Sequence, residues 1–184
     1  MKCFVLGCGS SLEGFNFQRL NDYHTIGTNN IMLDYPEVKT CLFSDPIFWQ
    51  LWKDEITAFK GKILAHERAV PETERELPNL EIFCTNMRQP EKLEGHVLFG
   101  TLSGISALNY ACWHYDEIYL LGFDLYGGHY HTNDDMYSCK PDIERLVNKF
   151  GLFPEAFPNH KIYNCSPQSL IRCFPFVNID DIIK

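Results

Sequence analysis

Short apolar runs alternate along the chain with longer segments whose apolar residues recur every three or four positions. The runs are Lys2–Leu6, Thr25–Gly27, Thr40–Phe43, Lys62–Ala65, Leu80–Cys84, Glu117–Leu121 and Lys161–Asn164. They are rich in Val, Ile, Leu and Phe, which predicts strands covered on both faces. Between them lie three predicted helices. "PIFWQLWKDEITAF" opens with Pro46 directly after Asp45, a favourable first turn. "SGISALNYACWH" places Ile105, Leu108, Ala111 and Cys112 at helical spacing. "KPDIERLVNKFG" ends at Gly151, a glycine suited to a C-cap. Strands and helices in alternation predict an α/β fold, with a mostly parallel sheet and helices on both faces.

With 184 residues, no internal repeat and no linker-like tract, residues 1–184 are expected to form a single domain. A formal net charge of −8 argues against direct nucleic-acid binding, which needs clustered Lys and Arg. It leaves room for a small anion held by backbone N–H groups. The eight cysteines contain no CxxC pair, and Cys3, Cys41, Cys84 and Cys112 fall in predicted strands or a helix. Reduced, mostly buried thiols are expected, not a disulfide framework or a metal ribbon. No apolar run reaches membrane-spanning length, and the opening "MKCFVLGCGSSLEG" is broken too early by glycine to read as a signal peptide. A cytoplasmic protein is the expectation, and a homo-oligomer is allowed.

Polar clusters follow several of the strands, where α/β sheets bind their ligands. "LGCGSSL" brings Gly7, Cys8, Gly9, Ser10 and Ser11 after the first. Its glycines let the backbone approach a ligand and its serines can donate to phosphate, or the segment is a tight turn. It is neither a GxGxxG fingerprint nor a P-loop. Asn29 and Asn30 follow the second strand, as amides for a base or sugar or as turn residues tolerant of left-handed backbone. Asp45 follows the third, where it can hydrogen-bond a nucleotide or donor ligand, coordinate a metal or, the first expectation, cap the Pro46 helix. Thr101, Ser103 and Gly104 open the helix "SGISALNYACWH" with hydroxyls and N–H groups. Gly122, Phe123, Asp124 and Tyr126 close "EIYLLGFDLY", and "GGHYHTND" follows with His129, Tyr130 and His131. Asp134 and Asp135 are not at a diagnostic metal spacing from those histidines, so no metal site is expected.

The order of "VLGCGSSL", "TNN", "SDP", "SG" at 103–104, "EIYLLGFDLY" and "IYNCSPQSL" resembles the bacterial CMP-sialic-acid sialyltransferases of glycosyltransferase family 42 and related Rossmann-like proteins. The resemblance covers most of the chain, with gaps, and implies a Rossmann-like fold, with a lid loop that is short in this chain. It implies that Gly7 to Ser11 form the nucleotide loop and that Asn29 and Asn30 contact CMP and the donor sugar region. Ser103 and Gly104 would lie near the donor carboxylate. Gly122, Phe123 and Asp124 would border the nucleoside, while Tyr126 and Tyr130 would hold the leaving phosphate. Phenolic donors replace a cation there, so the resemblance implies no cofactor beyond the CMP-sugar donor and an unidentified acceptor.

Three departures stand out. Asp45 takes a position where the family has Asn. The lid is cut to a few residues, and Tyr137 stands where the family has its histidine base. A phenol of pKa about 10 is a poor base near neutrality, so His131, then His129, is the expected replacement. Two other functions compete with metal-independent transfer from a CMP-activated acidic sugar. One is a more distant resemblance to pterin diphosphokinases, in which Asp45 and Asp124 would hold Mg²⁺ and the nucleotide would be ATP. The other is a nucleotide-binding module without catalysis.

Overall fold

The computed structural model describes residues 1–92, 96–100, 102–125 and 142–183. Eight strands form one sheet: β1 (Lys2–Leu6), β2 (His24–Thr28), β3 (Thr40–Phe43), β4 (Lys62–His66), β5 (Leu80–Asn86), β6 (Val97–Phe99), β7 (Glu117–Leu121) and β8 (Lys161–Asn164). Their order is β6-β5-β4-β3-β2-β1-β7-β8, and every described pairing is parallel. The fold is Rossmann-like α/β. The chain builds outward from β1 to β6, then returns to place β7 on the other side of β1. The switch point of the sheet therefore lies between β1 and β7, with Leu6 opposite Leu121 at its carboxyl end.

The helices are α1 (Ile31–Asp34), α2 (Pro46–Ala58), α3 (Ser103–His114), α4 (Ile143–Phe150) and α5 (Phe153–Ala156). Alternate residues of each strand enter different cores, as a pleated strand requires. Cys3, Val5, Ile26, Leu42, Leu64 and Ile118 pack under α3, with Leu146, Phe150 and Phe153 of α4 and α5 in the same cluster. Phe4, Leu6, Cys41, Phe43, Ile63 and Tyr119 form the other face with Ile31, Phe48, Trp49 and Ile56 of α1 and α2, and Ile183 joins them. Both faces are covered, which is why the strands read as apolar throughout.

The seven anticipated strands are present, with His24, Thr28, His66, Thr85 and Asn86 added at their ends. The strand β6 and the short α1 and α5 are additions. Gly151 does follow α4, but in right-handed backbone (φ −60°), so the turn does not use glycine's left-handed freedom. The described cysteines are free. Cys84 is half-buried rather than buried, and its thiol donates to Glu67 Oε2 at 3.2 Å. Among the described residues no helix is long and apolar enough to cross a membrane.

Candidate functional site

The carboxyl ends of β1 and β7 meet in two loops joined by backbone hydrogen bonds. Gly7 N–H donates to Leu121 O and Gly9 N–H to Gly122 O, both at 2.8 Å. A Cβ on Gly7 would lie 2.5 Å from Gly122 O, and one on Gly9 2.6 Å from both Asp124 Oδ2 and Gly122 O. The close approach that these glycines permit is thus to the neighbouring loop. Gly122 sits at φ +69°, the left-handed region that glycine enters without penalty.

Asp124 fastens the junction. It is 1 % exposed, and its carboxylate accepts Ser11 N–H at 2.7 Å, Ser11 Oγ–H at 2.6 Å and Ser10 Oγ–H at 3.4 Å. Ser11 Oγ also lies 3.1 Å from Ser166 Oγ. The segment after β8 completes the brace, for Ser169 Oγ–H donates to Phe123 O at 2.6 Å and Leu170 N–H to Asp124 O at 3.0 Å. Asp124 shapes the loop from below; it does not present a bare carboxylate to a ligand. Phe123 packs its ring on the first turn of α3, where a Cβ on Gly104 would come within 2.9 Å of it.

A second group gathers at the ends of β2 and β3 and the start of α3. Asn29 adopts φ +47°, the left-handed geometry that Asn tolerates. Its Oδ1 accepts Ser103 Oγ–H at 3.2 Å, and Ser103 Oγ in turn accepts Ser44 N–H at 3.1 Å. The chain of donors ties three loops into one rim. Asn30 begins α1 with no side-chain capping bond. Asp45 caps α2, its Oδ1 accepting Ile47 N–H at 3.0 Å, as its place before Pro46 predicts. Among the described residues Ser44 Oγ is buried with no hydrogen-bond partner, beside the Asn29–Ser103 pair. Cys8 lies under this rim with its thiol donating to Thr28 O at 3.4 Å. Burial pushes that thiol up to about 12, so it is inert near neutrality.

The arrangement can offer amides, hydroxyls and backbone N–H groups to a polar, anionic ligand. Gly7, Cys8, Gly9, Ser10, Ser11, Asn29, Asn30, Asp45, Ser103, Gly104, Gly122, Phe123 and Asp124 all fall along the carboxyl edge. Ser44, Ser166 and Ser169 were not singled out in the sequence. All three follow strand ends in short polar segments, the signal by which the others were found. Tyr126, His129, Tyr130, His131 and Tyr137, with Thr101 and the lid loop, lie outside the described residues. Among the described residues no three His, Cys, Asp or Glu side chains cluster as metal ligands.

No protein-family model matches the chain. Nor does any curated protein sequence. Solved structures do. The chain is similar to the sialyltransferase CST-II in complex with a trisaccharide acceptor and CMP, with a TM-score of 0.60 at 18 % identity over 96 % of this chain and 86 % of that one. It is also similar to CstII from Campylobacter jejuni bound to the substrate analogue CMP-3FNeuAc, with a TM-score of 0.56 at 15 % identity over 96 % and 85 % of the two chains. For CstII with cytidine-5'-monophosphate the TM-score is 0.58, at 16 % identity over 96 % and 84 %. At these identities the likeness is one of fold, and it extends over nearly the whole chain.

Proposed function

We propose that the protein transfers a sugar from a CMP-activated donor, an acidic sugar such as sialic acid, to an acceptor hydroxyl without a metal ion. The observation that carries this reading is the rim at the carboxyl ends of β1, β2, β3 and β7. It lies at the switch point of a fold shared with CMP-bound sialyltransferase structures. Asn29 and Ser103 hold each other in place there, and the unpartnered Ser44 hydroxyl supplies a donor that a ligand would satisfy.

In this mechanism a base, His131 or His129, takes the proton of the acceptor hydroxyl. The acceptor oxygen bonds to the anomeric carbon as the bond from that carbon to the phosphate oxygen breaks. CMP leaves with the electron pair, and the Tyr126 and Tyr130 hydroxyls donate to its phosphate as charge grows there. The alternative reading of Asp45 and Asp124 as magnesium ligands would have a metal share carboxylates that already accept hydrogen bonds, Asp45 from Ile47 N–H and Asp124 from Ser11.

Thermal unfolding with CMP, UDP, GDP and ATP, the last with and without Mg²⁺, tests the reading. CMP at a hundred-fold excess over its Kd should add about 2.7 kcal/mol of stability. For a chain of this size that is a midpoint rise of roughly 5–11 °C. Stabilisation by ATP with Mg²⁺ alone would sink it. CMP binding without sugar transfer to any acceptor would leave a binding module in its place. Tyr126→Phe should lower kcat with little change in KM, since its hydroxyl acts on charge that appears in the transition state.

A further inference from the structure

A cavity of about 520 Å³ opens at the carboxyl ends of β5 and β6, where α4 passes over them. Its volume is in the range of small-molecule sites, roughly 300–1,000 Å³. Phe99, the last residue of β6, is one wall, 1 % exposed, while Met87 and Leu152 line it at 44 % and 38 % exposure. Arg88, Arg145 and Lys149 supply positive charge, and Asp142 and Glu144 negative charge.

Lys149 is the anomaly. The residue is 9 % exposed, and among the described residues its Nζ is buried with no hydrogen-bond partner. An ammonium has three donors, and burying it unpaired is costly. Among the described residues its compensation is the Phe99 ring, whose centroid lies 5.6 Å from Nζ. Arg145 stands four residues earlier on α4, so two like charges share one helix face, an arrangement that costs rather than stabilises. Desolvation, then Arg145, holds the Lys149 ammonium below its ordinary value. The acidic groups at the rim do not relieve it. Asp142 is turned to cap α4 through Arg145 N–H at 3.0 Å, and Glu144 is exposed.

We infer that this cavity binds a sugar-sized organic anion, its carboxylate or phosphate received by Lys149 with Arg145 and Arg88, and its body lying against Phe99, Met87 and Leu152. An anion there supplies the partner that the buried ammonium lacks. The apolar walls favour an organic body over a bare ion.

Calorimetric titration with glucuronate, glucose 6-phosphate and inorganic phosphate tests this, using wild type, Lys149→Met and Arg88→Gln. Wild type should bind one or both sugar anions, and whichever binds tighter names the charged group. Lys149→Met keeps the stem and removes the charge, so it should weaken binding about ten-fold or more, the size of a lost charge-assisted hydrogen bond. Its unfolding midpoint without ligand should equal or exceed that of wild type, because an unpaired buried charge has gone. Arg88→Gln, at an exposed position, should weaken binding in the same direction and decides the matter if Lys149→Met does not fold. Equal affinity in wild type and both variants, or no binding of either sugar anion, would overturn the inference. So would inorganic phosphate binding as tightly as the sugar anions. A CMP titration of each variant keeps the two proposals apart: CMP binding should survive Lys149→Met, and its failure in wild type would remove the transferase reading while leaving this one standing.

Discussion

At the scale of single residues, the two glycines of "LGCGSSL" illustrate how one sequence signal serves two different ends. Glycine after a strand marks a close approach, and the sequence cannot say to what. Here the approach is to Gly122 and Asp124 of the neighbouring loop, a partner more than a hundred residues away that only the β1–β7 pairing brings into contact. The local roles were legible. Asp45 before Pro46 is a cap because the cap is made within three residues, and Asn29 takes a left-handed turn because its own short amide permits it. Gly9→Ala puts a methyl group 2.6 Å from a carbonyl held by Gly9 N–H and from a carboxylate oxygen held by Ser11, so neither can withdraw without breaking a hydrogen bond. The expected cost is about 1–3 kcal/mol, typical of overpacking. Urea unfolding measures it; a loss below about 0.5 kcal/mol, the range of a neutral surface change, would mean that the two loops are not in contact.

At the scale of elements, all seven predicted strands formed, and the strand missed among the described residues, β6, is the shortest of the sheet. The strand β6 has three residues and owes its place to Asn86, Thr85 and Cys84 beside it, a pairing partner that no local window contains. The same limit hid α1 and α5, each of a single turn. Inside α2, Trp52 leaves helical geometry at φ −123°, a kink that the uninterrupted helical pattern of 46–58 does not announce. The end of β4 carries a consequence for pH. His66 is half-buried there, and its Nδ1 accepts Arg68 N–H at 3.2 Å, which requires an unprotonated nitrogen. Desolvation is the main cause holding its pKa below the ordinary imidazole value; Glu67 opposes the shift and Arg68 adds to it. His114 is lowered as well, by desolvation and then by Lys92 and Lys62. Between the folded value and the unfolded value of about 6.5, the unfolded chain binds more protons. This stability is therefore complete above about pH 6.5 and is lost as the pH falls through the folded value. His66→Asn keeps an acceptor for Arg68 N–H and cannot titrate, so its urea midpoint should fall less than that of wild type on acidification from about pH 7.5 to about pH 5. Parallel curves for the two proteins would exclude His66 as a source of the acid sensitivity.

At the scale of the whole molecule, the order of strands made the site readable before its geometry was known. Polar clusters after strands in an α/β sequence must collect along one edge, and the reversal between β1 and β7 marks the place where α/β sheets take a ligand in a crevice. The sequence could not show how tightly the clusters brace one another, since Ser11, Asp124, Ser166 and Ser169 meet only through the crossing of β1, β7 and β8. Charge adds a last expectation. The chain carries a net −8, and among the described rim residues the ligand-facing groups are amides, hydroxyls and N–H groups, with no Lys or Arg. An anionic nucleotide would be held at short range by neutral dipoles while the protein as a whole repels it. Screening acts on the repulsion, because its range shrinks from about 30 Å at 0.01 M salt to about 8 Å at 0.15 M. The hydrogen bonds inside the crevice are screened far less. The association rate of CMP should therefore rise with added salt over that range, while its dissociation rate changes little. Stopped-flow binding measures both rates. An association rate that falls steeply with salt would place a lysine or arginine at the phosphate and defeat the picture of a neutral cradle.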